Sequence, residues 1–398
     1  MASLLTLEEA QERVLARARP LATELVPLAE AARRVAAEDA RALVDLPPFA
    51  NSAMDGFAVR VADLPATLRI VGESAAGRPF EGGLGAGDCV AISTGAVVPD
   101  GADAVVPVEL VVENDNTVEI PTLDGAGSNI RPRGGDVVAG EVVVPIGAAL
   151  NPARLAAAAA AGIGTLRCAR RPRVAVLATG SELVPPGEAL RPGEIYEANG
   201  LMLGTALAAA GADVHVEPSV ADDRVALRES LERALAADVL VTSGGVSVGE
   251  HDLVREVERE LGVDEVFWRV AIKPGKPVSF GLREGVLVFG LPGNPVSALV
   301  GCELFVKPAL RALQGLADAL PRFERGRLSI PLRRNGDRDE FVRARSHFED
   351  DVLVLEPVVG QESHMIVRSA AADALVHVPR GNGELEPGSS VRWLRLGT

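Results

Sequence analysis

The chain of 398 residues is poor in aromatic residues, in cysteine and in positive charge. Aromatic residues make up 3% of it, so Val, Leu and Ala must fill its cores and few rings can stack on nucleic acid bases. The formal net charge of −15 argues against DNA, RNA or an anionic membrane as a partner, because these attract proteins rich in Lys and Arg. A small anionic ligand would therefore need a local cluster of basic side chains.

The three cysteines, Cys89, Cys168 and Cys302, lie far apart and share no spacing typical of a metal site. They are expected to be buried, in a reducing compartment. The N-terminus lacks a secretory signal, and the alanine run Ala156–Ala161 is too short to span a bilayer and predicts a helix. These features predict a cytoplasmic protein with no membrane partner.

Helices are predicted in the N-terminal region and again near residue 150. Thr6 and Glu9 form a capping-box pattern at the start of a first helix. A second helix is predicted over residues 28–40, and Asn151 followed by proline predicts the start of a third, which Gly162 ends.

The remainder of the chain divides into regions of different pattern. From the two prolines at 47 and 48 to about Arg131, short Val and Ile runs broken by Gly, Pro and Asp predict an all-β module. Strands alternate with helices from Arg173 to about Leu313, which predicts βαβ units with a largely parallel sheet and helices on both faces. After Pro321 the β pattern returns and predicts a small barrel or sandwich.

Three predicted strands of the α/β region end in polar, glycine-rich loops. Val174–Ala178 precedes TGSEL, Asp238–Thr242 precedes SGGVSVGEHD, and Val286–Gly290 precedes LPGNPVS. One such loop alone is more simply a tight connection, but three at the carboxyl ends of parallel strands favour one rim that binds an anion through backbone N–H groups. The residues predicted to bind the ligand there are Gly180, Ser181, Ser243, Gly244, Gly245, Ser247, Gly249, Pro292, Asn294, Pro295 and Ser297.

Carboxylates in these loops predict a metal site. Glu182 and Asp252 are hard oxygen donors, the type that holds Mg²⁺ beside phosphate. A solvated loop acid and a helix-start charge are the alternatives for the two residues. Asp222 and Asp223 follow another strand, and one of them could join the site or simply be the N-cap of the next helix.

The segment KPGKP supplies the basic cluster that a small anion requires. Lys273 and Lys276 lie three residues apart on a chain stiffened by two prolines, so both ammonium groups can converge on one oxyanion. A solvated surface turn is the alternative. In the β module, Asp55 and Thr94 are further candidates, although a hairpin turn and a strand end would explain their motifs equally well.

Seven stretches together resemble one family, the bacterial molybdopterin molybdenumtransferases (MoeA), and the related E domain of gephyrin. They are NSAMDGFA, STGAVVPDGADAVVPVE, RPRGGDV, LATGSEL, TSGGVSVGEHD, KPGKPVSFG and LPGNPVSALV, and they follow the family's order across essentially the whole chain. The resemblance implies a multidomain α/β plus β fold. Its parts would be an elongated helical linker domain (1–45 and 132–168), an inserted β domain (46–131), a MoaB/MogA-like α/β molybdopterin-binding domain (169–320) and a C-terminal β-barrel domain (321–398).

The resemblance also implies roles for individual residues. Glu182 and Asp252 would contact Mg²⁺, and Asp55 and Thr94 would reach the substrate across a homodimer interface. Molybdate would bind Lys273 and Lys276. The remaining implied site residues are Asp136, Arg343 and Ser363, with Asn294 and its flanking prolines shaping the pocket floor. Asp222, a candidate from its loop position alone, is counted with them as a site residue.

The implied reaction is Mg²⁺-dependent insertion of molybdate into adenylylated molybdopterin, with release of AMP. No adenylyltransferase domain is fused to the chain, so a separate adenylyltransferase is expected to supply the substrate. A molybdopterin adenylyltransferase is an alternative, although the extra β domains and KPGKP speak against it. A second alternative is a non-enzymatic, pterin-binding scaffold.

Overall fold

The computed structural model describes residues 4–123, 125–245 and 253–397. Its first elements are helix α1 (Leu7–Leu15) and strands β1 (Thr23–Pro27) and β2 (Ala40–Arg41). The predicted capping box is confirmed, since the Thr6 hydroxyl accepts from Glu9 N (3.1 Å) and the Glu9 carboxylate accepts from Thr6 N (2.8 Å). This local signal correctly predicts the start of α1.

The helix predicted over residues 28–40 is wrong. Only a single 3-10 turn forms there, at Leu28–Glu30, and Arg33 adopts a positive φ of 63°. Val35 and Ala36 instead make isolated β-bridges to distant residues and are buried. The helical propensity of the alanines is therefore outweighed by burial in a tertiary core.

The inserted β region is a six-stranded sheet in the order β7-β4-β6-β5-β9-β8, and β3 pairs with β10 beside it. Buried apolar residues fill both of its faces. The predicted all-β module is thus present. Its strands are β3 (Asn51–Ser52), β4 (Gly56–Val59), β5 (Ala66–Ser74), β6 (Asp88–Ile92), β7 (Ala104–Pro107), β8 (Val112–Asn114), β9 (Thr117–Ile120) and β10 (Ile130–Arg131).

The chain then returns to the first unit through β11 (Val142–Val144), α2 (Pro152–Ala160) and β12 (Thr165–Ala169). β11 pairs with β2 and β12 pairs with β1, both antiparallel. The predicted cap of α2 is confirmed, because the Asn151 side chain accepts from Arg154 N at 2.9 Å. This unit therefore joins segments more than 100 residues apart in the chain.

The α/β region contains a sheet in the order β16-β13-β17-β21-β20-β18. Its first four strands are parallel and the last two antiparallel, as expected for a largely parallel sheet. The elements are β13 (Arg173–Ala178), β14 (Leu183–Val184), β15 (Ile195–Tyr196), α3 (Asn199–Ala209), β16 (Asp213–Val216), α4 (Arg224–Ala234), β17 (Val239–Ser243), α5 (Leu253–Glu260), β18 (Asp264–Trp268), β19 (Ile272–Lys273), β20 (Ser279–Arg283), β21 (Val286–Leu291), α6 (Pro295–Gly301) and α7 (Lys307–Leu313).

Helices cover both faces of this sheet. One core contains residues of α3, α6, α7 and the N-terminal α1, and the other contains residues of α4 and α5. A π-helical segment, Cys302–Val306, joins α6 to α7, and its Leu304 carbonyl accepts from Gln11 Nε2 on α1 at 3.0 Å. α1 is therefore packed on the α/β region.

The C-terminal region closes into a five-stranded barrel, in which β24 pairs with both β25 and β26. β19 extends from the α/β region and pairs parallel with β24, which couples the two regions. The elements are β22 (Glu324–Leu328), β23 (Leu332–Arg333), β24 (Asp339–Glu349), β25 (Val352–Pro357), α8 (Ile366–Ser369), β26 (Ala374–Val378), β27 (Glu384–Leu385) and β28 (Ser390–Arg395). The multidomain α/β plus β fold and its C-terminal barrel are confirmed.

Two predictions from composition can be compared with this fold. Cys89, Cys168 and Cys302 are buried, as expected, and none of them forms a disulfide bond. Burial raises the pKa of the Cys89 thiol to about 11. In residues 4–123, 125–245 and 253–397, every helix is too short or too polar to be a transmembrane span.

Candidate functional site

The three polar loops of the α/β region meet at one rim. They follow β13, β17 and β21, which are neighbours in the sheet. Thr179 N donates to Ser243 O (2.9 Å), and Gly244 N donates to Leu291 O (3.1 Å). Gly244 has φ +96°, and a Cβ added to it would lie 2.3 Å from the Thr179 carbonyl oxygen. The predicted convergence is confirmed, and we call loops 179–182, 243–245 and 291–297 the rim.

Asn199 fastens two loops of the rim together. Its side-chain nitrogen donates to Ser243 Oγ at 2.9 Å and to the Gly293 carbonyl at 2.7 Å. Asn199 was not singled out in the sequence analysis. Its position at the first turn of α3, on the side of the sheet where the strands end, was the available signal.

The structure distinguishes the two neighbouring aspartates. The Asp223 carboxylate accepts from Val225 N (3.1 Å) and Ala226 N (2.9 Å), so Asp223 is the N-cap of α4. Asp222 instead exchanges hydrogen bonds with Ser181 of the rim, from Ser181 N (3.4 Å) and to Ser181 Oγ (3.0 Å). Of the two, Asp222 lies at the candidate site.

Glu182 is exposed at the rim and its carboxylate makes no ion pair with a described residue. It lies over Gly180, where an added Cβ would be 2.6 Å from a carboxylate oxygen. Ser247, Gly249 and Asp252 lie outside the described residues. Within the described ranges, no group of three or more His, Cys, Asp or Glu residues is arranged to hold a metal ion. Glu182 thus offers one hard oxygen donor, and the metal site stays a prediction.

The Thr179 hydroxyl is a second polar group at this rim. Its oxygen is buried, has no hydrogen-bond partner among the described residues, and would lie 3.1 Å from a Cβ added to Gly245. A buried polar atom without a partner costs free energy unless a ligand, ion or water satisfies it. The rim therefore combines closely packed backbone with the buried Thr179 oxygen, which has no hydrogen-bond partner among the described residues.

The C-terminal barrel joins the rim through Ser363. Asn294 Nδ2 donates to Ser363 Oγ (2.9 Å), and Val296 N donates to the Ser363 carbonyl (3.1 Å). The next residue along α6, Ser297, has its carbonyl 3.5 Å from a Cβ added to Gly275 of KPGKP. The predicted residues Asn294, Ser297 and Ser363 and the lysine segment therefore lie side by side.

The two predicted lysines differ in their surroundings. Lys273 Nζ lies 2.9 Å from Glu340 Oε1 of the C-terminal barrel, in an ion pair. Lys276 is half-buried and makes no ion pair with any described residue. An anion at this loop would therefore meet two ammonium groups, one in an ion pair with Glu340 and one without an ion pair among the described residues.

Arg343 lies beneath the Ser363 loop and is 1% exposed. Its guanidinium donates to Gln361 Oε1 (3.2 Å), Ser369 Oγ (2.6 Å), the Gly360 carbonyl (2.9 Å) and, from both terminal nitrogens, the Glu362 carbonyl (3.5 and 3.4 Å). Burial lowers the pKa of Arg343. The predicted residue therefore lies at the site as a support for Ser363, with its donors used by the protein.

Asp55 and Thr94 form a second cluster in the inserted β region. Asp55 Oδ1 accepts from Thr94 N at 2.6 Å, and the hydrogen bonds from Thr94 hold the pKa of this carboxyl below its ordinary value. Behind them Gly56 passes so close to β7 that an added Cβ would lie 1.9 Å from the Val106 carbonyl oxygen. Two residues 39 positions apart, predicted separately, are thus in direct contact.

Asp136 is exposed in the RPRGGDV loop, whose geometry is set by a residue that sequence reasoning missed. Asp45 accepts from Ala139 N (2.8 Å) and from Arg133 Nε (2.6 Å), and these bonds lower its pKa. No hydrogen bond within the described ranges joins Asp55, Thr94 or Asp136 to the rim. Within one chain the site residues therefore form separate clusters.

Comparison with known proteins places this architecture in one family. Three family models match, described as the MoeA N-terminal region (residues 5–162), a probable molybdopterin binding domain (175–312) and the MoeA C-terminal region (325–396). The chain is 37% identical to the molybdopterin molybdenumtransferase of Haemophilus influenzae, over 98% of each chain. It is 34% identical to that of a Nostoc species, over 94% of this chain and 89% of the relative. The chain belongs to the molybdopterin molybdenumtransferase (MoeA) family.

The structure agrees with this assignment. A crystal structure of a molybdopterin biosynthesis MoeA protein from Pyrococcus horikoshii matches with a TM-score of 0.85 at 28% identity, over 99% of this chain and 100% of the other. The MoeA-like order of the motifs, which the sequence suggested, therefore corresponds to a MoeA-like fold. The second matched model, residues 175–312, contains the rim and KPGKP.

Proposed function

We propose that this MoeA family member inserts molybdate into adenylylated molybdopterin, in a Mg²⁺-dependent reaction that releases AMP. The observation that carries the proposal is the convergence of the glycine-rich rim, KPGKP and Ser363 of the barrel on one side of the α/β sheet. Backbone N–H groups suit phosphates, and ammonium groups suit a tetrahedral oxyanion. Family membership supports the substrate class.

The rim is proposed to bind the phosphates of the adenylylated pterin. Gly244 and Gly245 allow the backbone to approach closely, and Asn199 holds Ser243 in place. Glu182 and Asp252 would hold Mg²⁺, and the buried Thr179 oxygen, which has no partner among the described residues, fits a site for bound phosphate, ion or water. When bound, Mg²⁺ polarises the phosphoanhydride.

Molybdate is proposed to bind between KPGKP and the barrel. Lys276 offers an ammonium group without an ion pair among the described residues, and KPGKP and Ser363 both lie beside the start of α6. The dithiolene sulfurs of the pterin are soft ligands that suit molybdenum and would replace oxygen ligands on it. The protein would act by positioning and charge neutralisation, without a covalent nucleophile.

A homodimer is proposed to complete the site. Asp55 and Thr94 are exposed and have no hydrogen bond to the rim within the described residues. Phe49 and Met54 nearby are apolar and each 40% exposed, as expected for a surface that a second subunit would cover. Asp55, Thr94 and Asp136 of one subunit would then face the rim of the other. A separate cytoplasmic adenylyltransferase would supply the substrate.

The decisive assay combines purified protein, adenylylated molybdopterin, Mg²⁺ and molybdate, and measures AMP release and the finished cofactor. We expect AMP release only when both Mg²⁺ and molybdate are present. A parallel reaction with ATP and unmodified molybdopterin tests the adenylyltransferase alternative, and rapid adenylylation there would contradict the proposal. Full activation of a molybdoenzyme by a Glu182→Ala variant would support a scaffold instead.

A further inference from the structure

The ion pair between Lys273 and Glu340 crosses from the α/β region to the barrel. Lys273 belongs to β19 and Glu340 to β24, and the two residues are in register in a parallel pair. On its other side Glu340 is in register with Val378 of β26. Because both neighbouring strands hold this part of β24, the Glu340 backbone has little freedom to move away from Lys273.

Strand geometry directs Glu340 to the lysine and the preceding Asp339 elsewhere. Successive side chains on a strand point to opposite faces. The Asp339 carboxylate accepts from Arg380 N (2.7 Å) and lies 3.7 Å from His377 Nε2 of β26. Among the described residues, Lys273 is the ion-pair partner of Glu340 and Asp339 does not compete for it.

The two charges differ in access to solvent. The side chain of Lys273 is 45% exposed, whereas that of Glu340 is 16% exposed. A solute can therefore reach the ammonium group while the carboxylate stays behind it. A half-exposed ion pair of this kind contributes little stability, so a divalent anion can compete for the lysine.

We propose that Glu340 is a positioning residue that holds Lys273 in place before a divalent oxyanion binds. Glu340 then limits how tightly the lysine loop retains that oxyanion. This inference rests on the proposed function and adds the control of oxyanion affinity to it. The carboxylate orients the ammonium group for the incoming anion. Once the anion is bound, the negative charge behind the lysine repels it, which favours transfer of the oxyanion to the pterin over retention.

The variant Glu340→Gln isolates the charge, because the amide oxygen can still accept from Lys273. We expect molybdate alone, titrated into the purified full chain, to bind about five- to tenfold more tightly than to the wild type. In the AMP assay, KM for molybdate and kcat should both fall, because an oxyanion that is held more tightly is transferred more slowly. Substitution of a residue with a merely structural role would lower kcat without tightening molybdate binding or lowering KM.

A matched control removes the same charge from the same strand. Glu349 lies at the far end of β24, is exposed and pairs with His347. Glu349→Gln should leave molybdate affinity unchanged, and thermal unfolding of both variants checks the fold. Tungstate, a dianion of similar size, should respond to Glu340→Gln as molybdate does.

A Lys273→Met variant separates failure of the inference from failure of the proposed function. If this change weakens molybdate binding but Glu340→Gln behaves like Glu349→Gln, the role of Glu340 is overturned and the proposed oxyanion site stands. If Lys273→Met leaves molybdate binding and KM unchanged, both the lysine site and the inference fall. Tighter binding in Glu340→Gln alone among the glutamate variants supports the inference.

Discussion

The rim of the α/β region and the Asp55–Thr94 pair of the β region both carry predicted site residues, but they are held in different ways. The rim is bound together across loops, by Asn199 between Ser243 and Gly293 and by Asn294 to Ser363. The pair is held together by hydrogen bonds from Thr94 to the exposed Asp55 carboxylate. One cluster is organised within the chain, and the other presents its charge outward.

This difference indicates how substitutions should act. A change in the rim disturbs several loops at once, because their backbones touch and share side-chain hydrogen bonds. A change in the Asp55–Thr94 pair removes a charge and leaves the surrounding sheet intact. We therefore expect substitutions in the rim to reduce activity most and to disturb the local structure. Substitutions in the Asp55–Thr94 pair should reduce activity less and leave the local structure unchanged.

The largest effect is expected for Gly244→Ala. The new methyl group would lie 2.3 Å from the Thr179 carbonyl oxygen, at φ +96°, so the loop must move. We expect AMP release to fall by about 100-fold, with a loss of stability of about 1–3 kcal/mol. The control Gly262→Ala has a similar φ of +84° but no atom within 4 Å of the added group, and it should retain activity. Equal activity of the two variants would contradict a close-packed rim.

The next effect is expected for Asn199→Ala, which removes both hydrogen bonds that join the Ser243 and Gly293 loops. Activity should fall by about 20-fold, mainly in kcat, because the loops lose their shared orientation. Asn151→Ala provides a matched control, since Asn151 caps α2 far from the rim. That variant should lose about 1 kcal/mol of stability and keep its kinetics. Similar kinetics for both variants would contradict a role of Asn199 in holding the loops of the rim together.

Asp55→Asn should reduce activity by about tenfold at neutral pH with little change in the unfolding temperature, because the residue is exposed and the Asn side-chain oxygen can still accept from Thr94 N. The sharper test mixes subunits. If each site uses the rim of one subunit and Asp55 of its partner, heterodimers of Asp55→Asn with Gly244→Ala contain one intact site. Random mixing should then restore about a quarter of wild-type activity. No recovery in a verified heterodimer would place the two clusters in the same subunit or in unrelated roles.

Local patterns with a direct physical cause could be predicted from the sequence. The capping box at Thr6, the cap at Asn151 and the meeting of three loops at the strand ends depend on neighbouring residues or on the rule for parallel sheets. The predicted helix at 28–40 failed because burial of Val35 and Ala36 depends on partners more than 100 residues away. Asn199, Asp45 and Glu340 were missed because hydrogen bonds and ion pairs between distant segments leave no pattern in the sequence.

The smallest effect on activity is expected for Asp238→Asn, which lies in neither cluster. Asp238 accepts from both terminal nitrogens of Arg170 at 2.6 Å, where the first unit joins the α/β region. Burial would raise the pKa of Asp238, but the bonds from Arg170 and Arg173 outweigh it and the pKa lies below its ordinary value. The charge therefore stabilises the fold above the unfolded pKa, and this contribution disappears as pH falls through the lower folded value. Asp238→Asn should lower the unfolding temperature by about 5 °C at pH 7, less below about pH 4, and change activity by less than about twofold. A large loss of activity with unchanged stability would show that the junction, as well as the rim and the Asp55–Thr94 pair, takes part in catalysis.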